Sequence, residues 1–480
     1  HILVDEYQDI DTEQFELVSL VAGRTEKSPD SVRLRILAVG DDDQNIYAFR
    51  DTSTTFIRRF TEHYGASARH LLRNYRSSRH ILDAAQSLIV HDPGRLKRGQ
   101  LLEVDPARAA DSPGGRFAAF DRQARGRVRL LDVVDARAQV GVVVDHLRWL
   151  LAVDPDGSPR DIAVLGRTRR ELAWVRVALE AAGISHLRPP EREGAVSPSR
   201  LRAVARLLRW LAEDPQRGLH PAELASRTAG WPEGQGRTLV QAELGALADE
   251  TDDALTTASA VSERLWEALA EAKAGAPVGQ GIQLHTLHGV KGLEFPHVVI
   301  LDGGFRIHSA QERADERRLL YVGMTRARDS LSLVRIAGGS HPLFAEINHP
   351  DVFVEARTPS APVPAAVRFT VLGLGQLFLD LAGRSAPDAP IHGALERMKA
   401  GDPVRLKAMG HRVCIVDEDG VVVGALSKSA DREWTPRLAR VLRVEVVAVV
   451  ERDAEQSGEA WRSRLRCRRW LVPVVEVRWR

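Results

Sequence analysis

His1-Ile2-Leu3-Val4 runs directly into Asp5-Glu6, and Leu34-Arg35-Ile36-Leu37-Ala38-Val39 runs into Gly40-Asp41-Asp42. Apolar runs this short, closed by acidic residues, predict strands of a buried sheet. In open α/β sheets the helices return along the faces, so a ligand crevice forms just past the carboxyl ends of the strands. Polar residues massed at those ends therefore mark a candidate site. The same pattern recurs at 161–165, 282–286, 297–301 and 331–336, which predicts a second α/β domain.

A chain of 480 residues has room for about three domains. Hydrophobic residues at 44% and charged residues at 28% exclude a wholly disordered, collagen-like or coiled-coil chain. No apolar stretch approaches the roughly 18 residues of a membrane span. The best candidate, 140–153, is broken by Asp145, His146 and Arg148, so no membrane association is expected. Cys414 and Cys467 are too few for a disulfide framework, a four-cysteine zinc site or an iron–sulfur cluster. With no leader ahead of the first strand, the chain reads as a cytoplasmic fragment that begins within a fold. A net charge of +2 leaves room for a local basic groove.

Composition shifts divide the chain. Residues 188–200 are rich in Pro, Glu and Ser, and after them Leu201, Val204, Leu208 and Leu211 recur at helical spacing. A helical insertion is expected over 190–280. A Pro-rich linker at 358–367 then sets off a small β-rich domain at 368–480, in which 413–416 and 421–426 flank an Asp419-Gly420 turn as a hairpin does. Its outline is similar to Tudor-like or HIRAN-like barrels. Arg462, Arg464, Arg466 and Arg468 alternate with other residues, which on a strand puts four guanidiniums on one face, either tracking phosphates or simply solvated.

Asp5 and Glu6 supply what nucleotide hydrolysis requires at a strand end, one carboxylate for Mg²⁺ and one for the attacking water. A pair of acidic residues at a helix start has the same look. The order of later segments separates the two readings: Gly40-Asp41-Asp42-Asp43-Gln44-Asn45-Ile46-Tyr47-Ala48-Phe49-Arg50, then Leu72-Arg73-Asn74-Tyr75-Arg76-Ser77, then Thr286-Leu287-His288-Gly289-Val290-Lys291-Gly292-Leu293-Glu294-Phe295, and finally Glu316-Arg317-Arg318-Leu319-Leu320-Tyr321-Val322-Gly323-Met324-Thr325-Arg326-Ala327. With Val4-Asp5-Glu6-Tyr7-Gln8-Asp9 these five segments resemble motifs II to VI of the UvrD/Rep family of superfamily 1 DNA helicases, over roughly residues 1–340.

The resemblance implies an α/β fold of two RecA-like parallel-sheet lobes, the first incomplete. Residues 1–72 would belong to the first lobe, and 73–189 with 281–357 to the second. It implies ATP and Mg²⁺ as cofactors and single-stranded DNA, with its single/double-strand junctions, as partner. The implied activity is ATP-dependent 3′-to-5′ helicase action. Asp5 would hold Mg²⁺ and Glu6 act on water. Gln44 would sense the γ-phosphate, and Arg76 and Arg326 would neutralise charge on the transferred phosphoryl group. Tyr75 would stack on adenine and Glu294 accept from ribose hydroxyls. Tyr47, Phe49 and Arg50 would stack on bases, and Thr286 and His288 would touch the DNA backbone. Leu319, Val322, Gly323 and Arg326 also share one helical face, which places Arg326 on a buried side where it needs an anion. Lys291, between loop residues, is expected to order the loop or to lie near phosphate.

The chain departs from the family in three places. Arg50-Asp51-Thr52 stands where the family has Arg-Gly-Ala, and the insertion is short for the family's second accessory domain. No Gly-x-x-x-x-Gly-Lys-Ser/Thr phosphate loop occurs in the 480 residues. The loop is expected upstream and in cis, and the chain by itself is expected to be inactive. Two rivals are a helicase–nuclease, for which the tail offers no metal-nuclease cluster, and a non-enzymatic scaffold descended from a helicase.

Overall fold

The computed structural model describes residues 1–24, 33–46, 54–97, 99–109, 113–187, 197–232, 234–272, 281–338, 342–362 and 367–480. The chain forms two compact units, His1–Leu187 with Gln280–Pro364, and Arg188–Gly279 with Ala365–Arg480.

In the first unit the strands Ile2–Val4 and Ile36–Ala38 pair in parallel, Leu3 opposite Leu37. Side chains alternate across such a ribbon. Ile2, Val4, Ile36 and Ala38 therefore share one face and pack with Tyr7, Ile10 and Tyr64. The helices Thr12–Val21 and Thr54–Tyr64 complete this cluster, with Phe15 stacked on Phe56 at 4.7 Å and Tyr7 edge-on to Phe60 at 4.9 Å. Leu3 and Leu37 face the other way and are 77% and 60% exposed.

The same unit holds a seven-stranded parallel sheet. Its spatial order is Val352–Ala356, Val128–Val133, Ala327–Ile336, Phe295–Leu301, Ile162–Gly166, Ile282–Thr286 and His186–Leu187. Alternation loads both faces. Leu130, Leu165, Val298 and Ile300 pack against Ile81 and Leu88 of the helix Arg79–Ile89 and Leu320 of the helix Ala310–Met324. Leu131, Val164, Val299 and Leu301 pack against Val143 and Leu147 of the helix Ala136–Val153 and Val175 of the helix Arg169–Ala181. The broken apolar stretch at 140–153 is thus a core-facing helix, and no helix among the described residues is long and apolar enough to cross a membrane.

Three of these strands, Val352–Ala356, Val128–Val133 and His186–Leu187, escape sequence reading. Arg129 and Asp132 interrupt the apolar run of Val128–Val133, yet Arg129 is neutralised by Asp121 at 2.5 Å and Glu355 at 2.6 Å and lies over Trp149. Asp132 takes two bonds from Arg335, at 2.7 and 2.8 Å. Charges paired across neighbouring strands let a charged segment sit inside a sheet.

Burial also leaves two histidines reluctant to ionise. His146, bonded to Ser332 Oγ at 2.7 Å, is held down at about 3 by burial and then by Arg129, and burial alone lowers His285 to about 4. In the unfolded chain both take up a proton near pH 6.5. Stability is therefore full above that pH and falls as the pH drops toward 4, by up to about 1.4 kcal/mol per pH unit for each histidine. Urea denaturation of His146→Gln should show a flatter slope between pH 6.5 and 4 than the parent; equal slopes would contradict this.

In the second unit the helices Arg202–Glu213, Pro221–Ala229, Gln235–Glu250 and Ala258–Ala272 share one core with a six-stranded antiparallel sheet. The sheet runs Arg368–Leu372, Arg469–Trp479, Val441–Asp453, Pro403–Met409, Arg412–Val416 and Val422–Ala425. The expected hairpin is present, with Gly420 at φ 84° in its turn. The sheet is open rather than a closed barrel: no ladder joins the two outermost strands among the described residues.

The insertion and the tail, read as separate modules from sequence, form one unit because the insertion cannot cover its own apolar stripe. Val204, Leu207 and Leu211 of the helix Arg202–Glu213 pack with Val450, Val475 and Trp434. Arg202 donates to the carbonyls of Leu395, Glu396 and Met398 at 2.8–2.9 Å. The arginine row also differs from expectation. Arg462 ends the short helix Glu459–Arg462, and 463–468 is an irregular loop before the strand begins at Arg469.

Candidate functional site

At the carboxyl end of Ile2–Val4 the backbone turns through Glu6, which adopts φ 52° and ψ 39°. Left-handed backbone costs a non-glycine residue about 1 kcal/mol or more. Here it turns the Glu6 N–H onto Asp5 Oδ1 at 2.8 Å and leaves both carboxylates exposed. Tyr7 anchors the turn in the aromatic cluster. Gln8 then ties this turn to the loop after the second strand. Its amide donates to Glu6 Oε2 at 2.5 Å, its Oε1 accepts from the Asp41 N–H at 2.9 Å, and its carbonyl accepts from the Asn45 side chain. A Cβ at Gly40 would stand 2.7 Å from Gln8 Oε1, so a side chain there would push this amide aside.

Asp41, Asp42 and Asp43 bring carboxylate oxygens within 4.8 Å of one another, an arrangement that by itself resembles a cation site. Protein cations already occupy it. Arg95 grips Asp43 through Nε and Nη2, both at 2.9 Å; Lys97 pairs with Asp41 and with Asp43; the Leu96 N–H donates to Asp42 at 2.6 Å. Burial pushes the Asp42 carboxyl up, while Lys97, which burial would lower, is held up by Asp41 and Asp43. Arg95 and Lys97 were invisible to motif reading. Their one sequence signal is the demand that three successive acids make for counter-charge.

Gln44 bridges two segments, its amide donating to Asp41 Oδ2 at 2.9 Å and its oxygen accepting from Arg326 Nη2 at 3.1 Å. Arg326 lies just past the helix Ala310–Met324 rather than on it, but it is only 3% exposed. Its other acceptors are the carbonyls of Val322 and Leu293 and the Thr325 hydroxyl, at 3.1–3.4 Å. Among the described residues every hydrogen-bond acceptor of this guanidinium is neutral. Burial, then Arg76, lowers it to about 10.

Arg76 donates to Glu294 Oε2 at 2.6 Å and to the Thr325 carbonyl at 3.4 Å. The hydrogen bond from Arg76 holds the Glu294 carboxyl below its usual range. Asn74 Oδ1 accepts the N–H groups of Arg76 and Ser77 at 3.1 and 2.8 Å, an Asx turn that fixes where Arg76 leaves the backbone. Tyr75 beside it is 67% exposed.

Lys291 joins the groups the sequence lists separately. Its ammonium reaches Asp9 Oδ2, Glu6 Oε2 at 3.2 Å and the Gln44 carbonyl at 3.2 Å, which assigns it loop ordering. Burial raises the Asp9 carboxyl, against the pull of Lys291. Thr286 closes the strand Ile282–Thr286 by accepting the Gly289 N–H at 3.2 Å, and His288 sits half-buried on the turn Leu287–Val290. Tyr47, Phe49 and Arg50, with Asp51 and Thr52, lie outside the described residues. The structure thus gathers Glu6 and Gln44, past the carboxyl ends of the first ribbon, with Glu294 and Arg326, which immediately precede the strands Phe295–Leu301 and Ala327–Ile336 at their amino ends, and with Arg76 and Lys291.

Comparison with known proteins points the same way. Residues 1–65 match the UvrD/REP helicase N-terminal domain and residues 242–337 the UvrD-like helicase C-terminal domain. ATP-dependent DNA helicase UvrD2 of Mycobacterium tuberculosis is 28% identical over 391 residues, covering 76% of this chain and 52% of that protein. DNA helicase II of Escherichia coli is 28% identical, covering 69% and 55%, and the ATP-dependent DNA helicase Rep of the same organism is 25% identical, covering 69% and 59%. The chain spans about half the length of these relatives.

Proposed function

We propose that this chain, a UvrD/Rep-like superfamily 1 DNA helicase sequence by the matches just described, provides the catalytic acids and arginine clamps of an ATP-driven motor that moves 3′ to 5′ on single-stranded DNA and opens its duplex junctions. The observation that carries this reading is Arg326, a buried guanidinium bonded to neutral acceptors only, with Arg76 close enough to lower its pKa. Glu6 and Glu294 offset that lowering only in part, and a buried ion short of counter-charge costs several kcal/mol. An incoming phosphoryl group removes that cost and receives two charge-neutralising clamps.

Asp5 fits a Mg²⁺ ligand: its carboxylate is exposed at the strand end, one oxygen holds the Glu6 amide, and no protein cation pairs with it among the described residues. Bound Mg²⁺ supplies charge neutralisation at the phosphate oxygens. Glu6, steadied by Gln8 and Lys291, orients the attacking water and takes its proton. Gln44, which touches both Asp41 and Arg326, reports the phosphate's presence to the loop that leads toward Tyr47, Phe49 and Arg50. Tyr75, exposed beside Arg76, stacks on adenine, and the Glu294 oxygen not taken by Arg76 accepts from ribose. Thr286 and His288 contact the DNA backbone.

The phosphate loop comes from sequence outside these 480 residues and acts in cis in a cytoplasmic enzyme. The exposed apolar side chains Leu3, Leu37 and Val39, on a face of the first ribbon that no described residue covers, support a further segment packing there. In the full-length protein, Glu6→Gln should lower single-strand-stimulated ATP hydrolysis by at least about 100-fold while nucleotide still binds. Unchanged turnover would refute the assignment. The 480-residue chain alone should show no DNA-stimulated hydrolysis.

A further inference from the structure

The loop that follows the helix Glu459–Arg462 is a run of arginines with few acids to answer them. Arg462 is spent on the carbonyls of Ser457 and Glu455, at 3.1 and 2.9 Å, and Arg469 on Asp453 at 3.1 Å. Arg464, Arg466 and Arg468 are exposed, and no carboxylate lies within ion-pair distance of them among the described residues. Three like charges this close repel one another, so the fold must hold them there. The Arg466 and Cys467 N–H groups both donate to the Gly383 carbonyl, at 2.7 and 3.1 Å, and the Arg468 carbonyl accepts from Ala454 at 2.9 Å.

Aromatic rings extend the patch. Arg464 lies over Trp461 at 4.8 Å, Arg384 lies over both Trp461 and Phe378 at 5.4 and 5.0 Å, and Arg412 lies over Phe378 at 4.4 Å. A guanidinium stacked on a ring is fixed in plane but keeps its N–H edges for oxyanions. Asp380, 3.7 Å from Arg384, is the one carboxylate paired with this ladder among the described residues, and Arg452 shares it at 3.9 Å.

We infer that Arg464, Arg466 and Arg468, with the ring-stacked Arg384 and Arg412 beside them, form a second nucleic-acid surface that grips the phosphodiester backbone without reading sequence. An extended polyanion matches a cluster of guanidiniums in which Arg384 alone is paired with a carboxylate among the described residues, and each phosphate engaged releases counterions. This surface belongs wholly to the second unit and does not depend on nucleotide chemistry.

The test titrates the 480-residue chain with a labelled oligothymidine and a labelled duplex across about 50–200 mM salt. The triple variant R464S/R466S/R468S should lose at least about 10-fold in affinity at the low-salt end, and its slope of log affinity against log salt should shrink by about 2 on single strands. R464K/R466K/R468K keeps the charge and should keep the slope, and it stands as the folded control if the serine variant melts early. Unchanged affinity and slope in the serine variant would overturn the inference, as would a lysine variant that behaves like it. Polyglutamate that competes as well as nucleic acid at equal charge would also overturn it, in favour of an acidic protein partner. Failure of the parent chain to bind either oligonucleotide would overturn the inference outright, and would leave the helicase reading, which is tested on the full-length protein, as it stands.

Discussion

Arg326→Ala in the full-length protein is expected to lower ATP turnover by about 1,000-fold or more, while single-stranded DNA binding changes little. The large effect follows from position. Arg326 is buried, shares Gln44 with the acid-bearing loop, and is bonded to no carboxylate that could blunt its charge. A phosphoryl group in that crevice meets a desolvated guanidinium whose strength is greatest where water is excluded. Arg326→Lys should not rescue turnover, because an ammonium cannot span the Gln44, Leu293 and Val322 acceptors together. Lost DNA binding with normal turnover would contradict the assignment. A melting profile of both variants separates lost chemistry from lost fold.

The largest expected effect on stability lies at Arg95. It and Asp43 are 6% and 1% exposed and joined by two bonds of 2.9 Å. Removing Arg95 leaves the buried Asp43 with Lys97, at 3.2 Å, as its remaining cation, a partial loss that costs about 3 kcal/mol. Arg95→Ala should therefore destabilise the first unit by that amount in urea denaturation and loosen the Asp41–Gln44 turn. Replacing both residues, as in Asp43→Leu with Arg95→Met, should recover most of the loss. A single variant as stable as the parent would show that the pair is not holding the turn.

Much of this site was legible before any coordinates. The strand Ile282–Thr286 falls where its apolar run predicts, and the acids after Val4 stand at a strand end as the crevice argument requires. Arg326 is buried as its spacing implies, although the helix stops short of it and its protein acceptors are neutral. What stayed hidden was pairing at long range. Arg95 and Lys97 sit in a stretch without periodicity, and Val128–Val133 carries charges whose partners come from Asp121, Glu355 and Arg335. The second unit was hidden for a like reason: a helical stripe at Val204, Leu207 and Leu211 says that cover is needed, not that residues as distant as Trp434, Val450 and Val475 provide it.

The account stands on one crevice in which carboxylates after the first strand and guanidiniums at 76 and 326 meet the same phosphoryl group. A crystal structure of the full-length protein with Mg²⁺, ADP and a metal-fluoride mimic of the transferred phosphate tests this directly. The mimic should lie within hydrogen-bond reach of Arg76, Arg326 and Gln44, with Mg²⁺ on Asp5. A mimic bound elsewhere, with Arg326 still on its carbonyls and Gln44 alone, would contradict it.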